Sequence, residues 1–292
     1  MPIKVDFHVH TNKSKDAKFS IDEILDRAEK EDVTTIAITD HDSIESWYNK
    51  FRGSKNTFNK IKYREKVINV INGIEITCSF NNQEVHILGY FLNSENLEKS
   101  KYFNAFLGHI ETYPRKAFNR IKKVCEKLKE DGFEIDVNEL EGKFDKYNLG
   151  IRLLKKYRKE IFERFKDFLK IENPEQLNFS ILYNNLLKQG RKYHVPIEIL
   201  PSAEEVVKWI KDFKGFVSLA HPQRYENLSL KEILDKLIKI DPLIAVEGNR
   251  LKEAFNGLKT YGTDFHDDAR KLGIYIGDED FDKILKTWNF LI

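Results

Sequence analysis

Only two cysteines, Cys78 and Cys125, occur in the 292 residues. They stand far apart in unlike surroundings, which excludes a disulfide framework and leaves both as reduced, structural thiols. Apolar runs of the ~18 residues needed to span a bilayer are missing, and the N-terminus lacks the charged-then-apolar pattern of a secretory leader. No membrane association is expected, and a cytoplasmic location is. An excess of charge is missing too, since 49 Lys and Arg face 47 Asp and Glu for a net +2. That balance excludes recognition of nucleic acid by bulk charge, so any phosphate binding must be local. There is no fixed-period repeat, no low-complexity segment and no sign of an obligate protein partner. What is there is 41% apolar composition, ample for the core of one large α/β domain or of a domain with a big insertion.

The stretch Val5-Asp6-Phe7-His8-Val9-His10 alternates apolar and polar residues from Ile3 onward and predicts a strand with His8 and His10 on one face. A polar loop follows, with Asp16 as its carboxylate. Ser20 and Glu23 have capping-box spacing ahead of a helix whose apolar stripe is Ile24, Leu25 and Ala28. Thr34 to Thr39 is a β-branched strand ending in Asp40-His41-Asp42, so a βαβ unit ends twice in residues that favour metals. The basic segment Phe51 to Lys66 reads as a solvated loop and helix. Val67 to Ile76 is a strand containing Glu75, and Asn81-Asn82 turns the chain into Glu84 to Phe91, which contains His86. A carboxylate in so apolar a strand requires a cation or strong donors nearby.

Strand rhythm stops between about Glu95 and Pro201. Tyr113 to Lys129, Leu153 to Leu169 and Phe179 to Gln189 read as helices, forming an insertion expected to cap the strand ends that carry the polar residues. Strands return in Gly215 to Ala220, running into His221-Pro222, in Leu243 to Glu247, and in Leu258 to Gly262, running into Thr263-Asp264-Phe265-His266. Capped helices Ser202 to Phe213 and Ser229 to Ile240 separate them.

Collected, the strand-end residues are His8, His10, Asp16, His41, Glu75, His86, His221, Asp264 and His266, and they include six of the eight histidines. Mixed imidazole and carboxylate donors suit Zn²⁺, Mn²⁺ or Fe rather than Mg²⁺ or Ca²⁺. So many ligands suit two or three divalent ions sharing a bridging carboxylate.

These motifs resemble the PHP (polymerase and histidinol phosphatase) superfamily of metal-dependent phosphoesterases. The matching regions are Asp6-Phe7-His8-Val9-His10-Thr11, Thr39-Asp40-His41-Asp42, Gly73-Ile74-Glu75 with His86, and Ala220-His221-Pro222 with Thr263-Asp264-Phe265-His266. The resemblance covers residues 1–95 and 200–275. It implies an α/β fold, a distorted (β/α)7 barrel at residues 1–95 and 200–292, with an inserted helical cap domain at 96–199. It also implies a trinuclear metal centre. His8, His10, Glu75 and Asp264 would hold one ion, Glu75, His86 and His221 a second, and Asp16, His41 and His266 a third. The similarity is strongest to the branch with an inserted helical domain, which includes nucleoside bisphosphate phosphatases and 5′-to-3′ exonucleases, and there Arg115 and Arg120 fall where that branch has paired arginines. Residues 140–190 match no motif.

The function implied is hydrolysis of a phosphate ester of a nucleotide, or of the 5′ end of an oligonucleotide, by a metal-activated hydroxide. A phosphorylated small molecule or a nucleic-acid end is thus the expected partner. Asp40 or Asp42 is expected to orient a ligand imidazole, His41 above all. Arg224, and Arg115, Arg120 or Arg152 from the insertion, are candidates for a phosphoryl oxygen, and the alternative for each is a solvated surface residue. His194 is a candidate proton donor to the leaving group. Glu247 ends a strand as the ligands do and is expected to hydrogen-bond around the site. His109 reads as helical surface. Tyr113, Tyr157 and Tyr193 could stack on a base or pack within the insertion, and the charged run from Lys155 to Asp167 reads as a solvated helix face. Two rivals are an amidohydrolase-type C–N hydrolase and a catalytically silent binding module. The first lacks a lysine placed as a carboxylated bridge, and the second has no need of so many ionisable groups.

Overall fold

The computed structural model describes residues 2–48, 50, 58–64, 66–90, 92–225, 228–249, 251 and 255–289. β1 (Ile3–Val9) pairs in parallel with β2 (Thr35–Ile38), and β2 pairs in parallel with the long β4 (Lys66–Phe80). α1 (Ile21–Lys30) makes the β1–β2 crossover, with the predicted capping box of Ser20 and Glu23 in place. β5 (Gln83–Tyr90) runs antiparallel to β4, and β6 (Phe216–Leu219) antiparallel to β5. β7 (Ala245–Glu247) and β8 (Lys259–Thr260) then add in parallel. β9 (Ile274–Ile276) returns antiparallel to the start of β1. The α/β class expected from the alternating pattern is present.

The basic segment departs from expectation. Phe58–Tyr63 is a strand, β3, antiparallel to β4 from Phe58↔Ile71 to Tyr63↔Lys66. Asn59 is buried and Ile61 and Tyr63 are half-buried, while Lys60 is exposed, as is Lys62. A period of two is therefore present, but lysines on its outer face disguise it. Residues 51–57 of that segment lie outside the described residues.

The sheet curls until the stretch beyond β8 reaches β1. Phe7 N–H donates to Tyr261 O at 2.9 Å, Phe265 N–H to His8 O at 3.1 Å and His10 N–H to Phe265 O at 2.9 Å. The β1–β2 register shifts between Asp6 and Val9, as a β-bulge does. Val5 and Phe7 pack inside the curl with Ala37, Ile71, Leu88, Tyr90 and Phe216. Val9, beyond the shift, packs instead in the helix-side core with Ile24, Leu25 and Ile38. A uniform period of two along β1 is thus interrupted where the histidines begin.

Contacts divide the chain into two compact units, Met1–Ile110 with Leu200–Ile292, and Glu111–Ile199. The first also contains α2 (Glu45–Tyr48), α3 (Ser94–Lys99), α7 (Ala203–Asp212), α8 (Leu230–Leu237) and α9 (Asp278–Asn289). α4 is Phe103–Glu130, starting ten residues before the expected Tyr113, because it runs through Pro114 rather than beginning there. In the second unit α5 (Lys146–Leu169) is capped by Asp145 and kinked at Tyr157. The helix expected over Phe179 to Gln189 is a short α6 (Phe179–Leu182) followed by a π-helical turn, Tyr183–Leu187. Ile121, Val124, Leu128, Leu149, Leu153, Ile161, Leu186 and Tyr193 belong to that unit's own core. Among the described residues no helix is long and apolar enough to cross a membrane.

Closure onto β1 depends on a glycine. A Cβ at Gly262 would lie 2.3 Å from the His8 Cβ and 2.7 Å from the His8 nitrogen. Gly262→Ala is therefore expected to lower stability by about 1–3 kcal/mol in denaturant unfolding. An unchanged midpoint would mean that this stretch does not press on β1.

Candidate metal centre

The ends of β1, β2 and β6, the middle of β4, the start of β5 and the stretch after β8 bring their polar residues together around Glu75. This carboxylate is fully buried. Its Oε2 lies 3.0 Å from His8 Nε2, 3.0 Å from His41 Nδ1 and 3.2 Å from His10 Nε2. Its Oε1 lies 2.9 Å from His86 Nδ1 and 2.9 Å from His221 Nε2. Asp264 Oδ1 is 3.5 Å from His10 Nε2 and 3.4 Å from His266 Nδ1. Asp16 Oδ2 is 3.6 Å from His41 Nε2 and 3.4 Å from His266 Nε2. All nine strand-end candidates thus meet in one cluster. Three overlapping sets, His8 with His10, Glu75 and Asp264, His41 with Glu75 and His86, and His10 with His41 and His266, each offer donor atoms within 4.8 Å of one another.

The electrostatics of the cluster are those of a crowd of bases around anions. Burial pushes the His41 and His221 imidazoles down to about 4. Burial acts the same way on His86 and His266, but Glu75 beside the first and Asp16 with Asp264 beside the second outweigh it, raising them to about 10 and about 9. Burial likewise opposes the Glu75 charge, yet His8, His41 and His86 hold its carboxyl well below the usual range. The rings are close, with centroids 4.1 Å apart for His10 and His266 and 4.4 Å for His10 and His41. Full protonation of rings so close would be self-repelling, whereas divalent cations would require them neutral.

Hydrogen bonding supports the same fit. His10 Nε2, Asp16 Oδ1 and His221 Nδ1 are buried and have no hydrogen-bond partner among the described residues. Orphaned buried atoms of this kind, together with mixed nitrogen and oxygen donors, fit the binding of divalent metal.

Around the cluster each ligand loop is tied separately. Asp40 accepts from Thr11 N–H at 2.6 Å, Thr11 Oγ1 at 2.8 Å and Ser14 Oγ at 3.0 Å. Ser14 Oγ in turn accepts from His41 N–H at 2.8 Å and lies 2.9 Å from His10 Nδ1. With its one proton given to Asp40, Ser14 is left to accept from Nδ1–H, which points His10 Nε2 at Glu75. Asp42 accepts from Thr77 N–H at 2.9 Å and Thr77 Oγ1 at 2.7 Å, and lies 2.6 Å from His109 Nε2. Neither Asp40 nor Asp42 touches the His41 ring. Instead Asp40 acts on His10 through Ser14. His109 is buried, not helical surface as its sequence context suggests, because α4 starts early enough to carry it onto Asp42. Glu247 lies 3.1 Å from His8 Nδ1 and accepts from His221 N–H at 2.7 Å. Asp6 accepts from Thr263 N–H at 3.0 Å, Thr263 Oγ1 at 2.6 Å and Gly273 N–H at 2.9 Å, seating the loop that carries Asp264.

Arg224 reaches Asp264 Oδ2, and so does Arg270 Nη1 at 2.7 Å. Sequence reading missed Ser14 and Arg270, since neither stands at a strand end. The remaining candidates belong to the second unit. Arg115 is exposed and Arg120 buried, Arg152 Nε donates to Glu139 at 2.7 Å, and Lys146 Nζ lies 3.4 Å from His194 Nδ1. Tyr157 donates to Glu134 O at 3.0 Å and Tyr193 to Asp131 Oδ2 at 2.6 Å, both within that unit. Tyr113 is half-buried.

Fold and site together define an α/β protein with a buried cluster of imidazoles and carboxylates able to hold metal. The family model for the PHP domain matches residues 6–176, and the chain belongs to that family. The match ends before His221, Asp264 and His266, which join the cluster through the fold. An amidohydrolase from Chromobacterium violaceum, with bound sulfate and no metal, superposes with a TM-score of 0.64 at 16% identity, covering 94% of this chain and 91% of that one. A protein from Bifidobacterium adolescentis described as a candidate metal-dependent phosphoesterase superposes with a TM-score of 0.67 at 20% identity, covering 97% and 95%. No curated protein matches the sequence.

Ser14→Ala removes the hydroxyl that joins Asp40, the His41 backbone and His10. Affinity for the tightest-bound ion, measured by chelator competition, is expected to fall about 10–100-fold. Unaltered affinity would show that His10 is oriented by other means.

Proposed function

We propose that the protein is a metal-dependent phosphoesterase acting on a nucleotide or on the 5′ end of an oligonucleotide. The observation that carries this reading is the convergence of eight imidazole and carboxylate side chains around the buried Glu75. His8, His10, Glu75 and Asp264 would hold one ion, Glu75, His86 and His221 another, and Asp16, His41 and His266 a third, with Zn, Mn or Fe as the candidates. When bound, such ions supply Lewis acidity and a water acidic enough to attack at neutral pH. The protein's own groups do the rest.

Glu75 supplies anionic oxygens shared between two of the ligand sets, which keeps those sets at fixed separation. Ser14, Glu247 and Asp6 orient His10, His8 and the Asp264 loop, so that little reorganisation accompanies binding. The Arg224 side chain is 39% exposed while touching Asp264, and its guanidinium is the candidate for a phosphoryl oxygen. His194 is the candidate proton donor to the leaving group, and Arg115 and Arg120 are candidates for further phosphate contacts. The same reading takes the curled sheet as a distorted (β/α)7 barrel and the second unit as the inserted helical domain of that family branch.

An amidohydrolase reading draws on the name of the Chromobacterium violaceum neighbour. That reading calls for a lysine placed as a carboxylated bridge, whereas the side chains within 3.2 Å of the Glu75 oxygens are imidazoles, which favours the phosphoesterase.

Protein loaded with Mn²⁺ or Zn²⁺ should release phosphate from an aryl phosphate or a nucleotide, and a chelator should abolish the release. His41→Ala should lower the rate by about 100-fold or more. A panel of nucleoside mono- and bisphosphates beside a 5′-labelled oligonucleotide separates small-molecule from polymer substrates. Fewer than two ions per chain under replete conditions, or turnover of amides alone, would overturn the reading.

A further inference from the structure

The geometry points to Tyr225 as a positioning residue that holds His86 and His221 against the same oxygen of Glu75. The inference rests on the reading of the cluster as a metal centre only where it concerns metal affinity.

β5 and β6 form a regular antiparallel ladder from Tyr90↔Phe216 to Ile87↔Leu219. The next pair would be His86 and Ala220, in the position where each residue exchanges both of its backbone bonds with the other. Half of that exchange is made, since Ala220 N–H donates to His86 O at 3.1 Å. The other half runs through a side chain. His86 N–H donates to Tyr225 Oη at 2.9 Å, and the Tyr225 hydroxyl donates to Ala220 O at 2.8 Å. One phenol oxygen is thereby inserted into the ladder, satisfying both groups while parting the two strands.

The chain is shaped to deliver that oxygen. His221 has a φ of 28°, in the region that non-glycine residues seldom adopt. The turn Pro222–Arg224 follows, closed by Arg224 N–H to His221 O at 3.0 Å and Tyr225 N–H to Pro222 O at 3.2 Å. Tyr225 so comes back over its own His221, with ring centroids 5.9 Å apart at 61°. Parted strands leave His86 and His221 with rings 5.0 Å apart at 66°, each 2.9 Å from Glu75 Oε1. A directly closed pair would draw the two backbones together and take the imidazoles off that shared oxygen. Phenylalanine keeps the ring and removes only the inserted atom, leaving a backbone donor and an acceptor without their bond.

The test compares wild type and Tyr225→Phe, each stripped of metal and titrated with Zn²⁺ against a chromophoric chelator, with thermal unfolding of the stripped proteins alongside. The variant is expected to lose about 10–100-fold in affinity for one ion per chain while its remaining ions bind as in wild type. A merely structural role would weaken every ion or none. Amide hydrogen exchange supplies a second, metal-independent measurement. In stripped wild type the His86 amide should be protected like those of Ile87 to Tyr90, and in the variant it alone should exchange faster. Equal affinity for every ion in a folded variant, or a His86 amide in wild type exchanging as freely as an exposed one, would overturn the inference. If wild type takes up no ion, the metal-centre reading fails, and His86 exchange then decides the role of Tyr225 by itself. The same wild-type measurement decides it should the variant not fold.

Discussion

A single buried carboxylate sets the terms for the whole β-rich unit. Glu75 is cut off from water, and an unpaired charge in that position would cost several kcal/mol. Four imidazole nitrogens within 3.0 Å, those of His8, His41, His86 and His221, compensate it, and these come from four strands and the connections that follow them. The curl of the sheet, the reversal of direction at β5 and the return of the stretch after β8 onto β1 are the means by which distant segments reach one point. Without the curl the imidazoles would lie along a flat surface, and Glu75 would have no compensation.

Compensation alone does not place a nitrogen to within a few tenths of an ångström, and a second ring of contacts does so. Asp40 with Ser14, Asp42 with Thr77 and His109, Glu247, Asp6 with Thr263, and Tyr225 each hold a different ligand segment. Most of them bond backbone N–H groups, so they position the chain that bears the ligand and not only its ring. The backbone is bent to suit. Asp42, His221 and Asp264 all have positive φ, an arrangement costly for residues with a Cβ and one that persists where surrounding contacts overdetermine it. Strain and polar cross-links therefore concentrate in the same loops.

The helical unit follows another logic. Its core is aliphatic and aromatic, built on α4, α5 and the π-helical turn, and its ion pairs lie largely on its surface, as with Lys129 and Glu134 or Lys166 and Glu163. Such pairs add little stability each. A kink at Tyr157, whose hydroxyl bonds the Glu134 backbone, is the main irregularity of α5.

The sequence by itself determined which side chains form the cluster. A histidine or carboxylate at the end of an apolar strand stands out against its neighbours, and strand ends in an α/β sheet share one rim. It also determined the capped helices α1, α7 and α8, whose start signals are local. Only the tertiary structure decided what depends on segments far apart in the chain. β3 was hidden because its lysines face solvent and its partner is β4. The early start of α4 was hidden because Pro114 resembles a first-turn residue, and with it the burial of His109 on Asp42. Ser14, Arg270 and Tyr225 carry no mark in their own neighbourhoods. Their importance comes from hydrogen bonds to residues brought alongside by folding, and a local pattern holds no record of a contact made across the sheet.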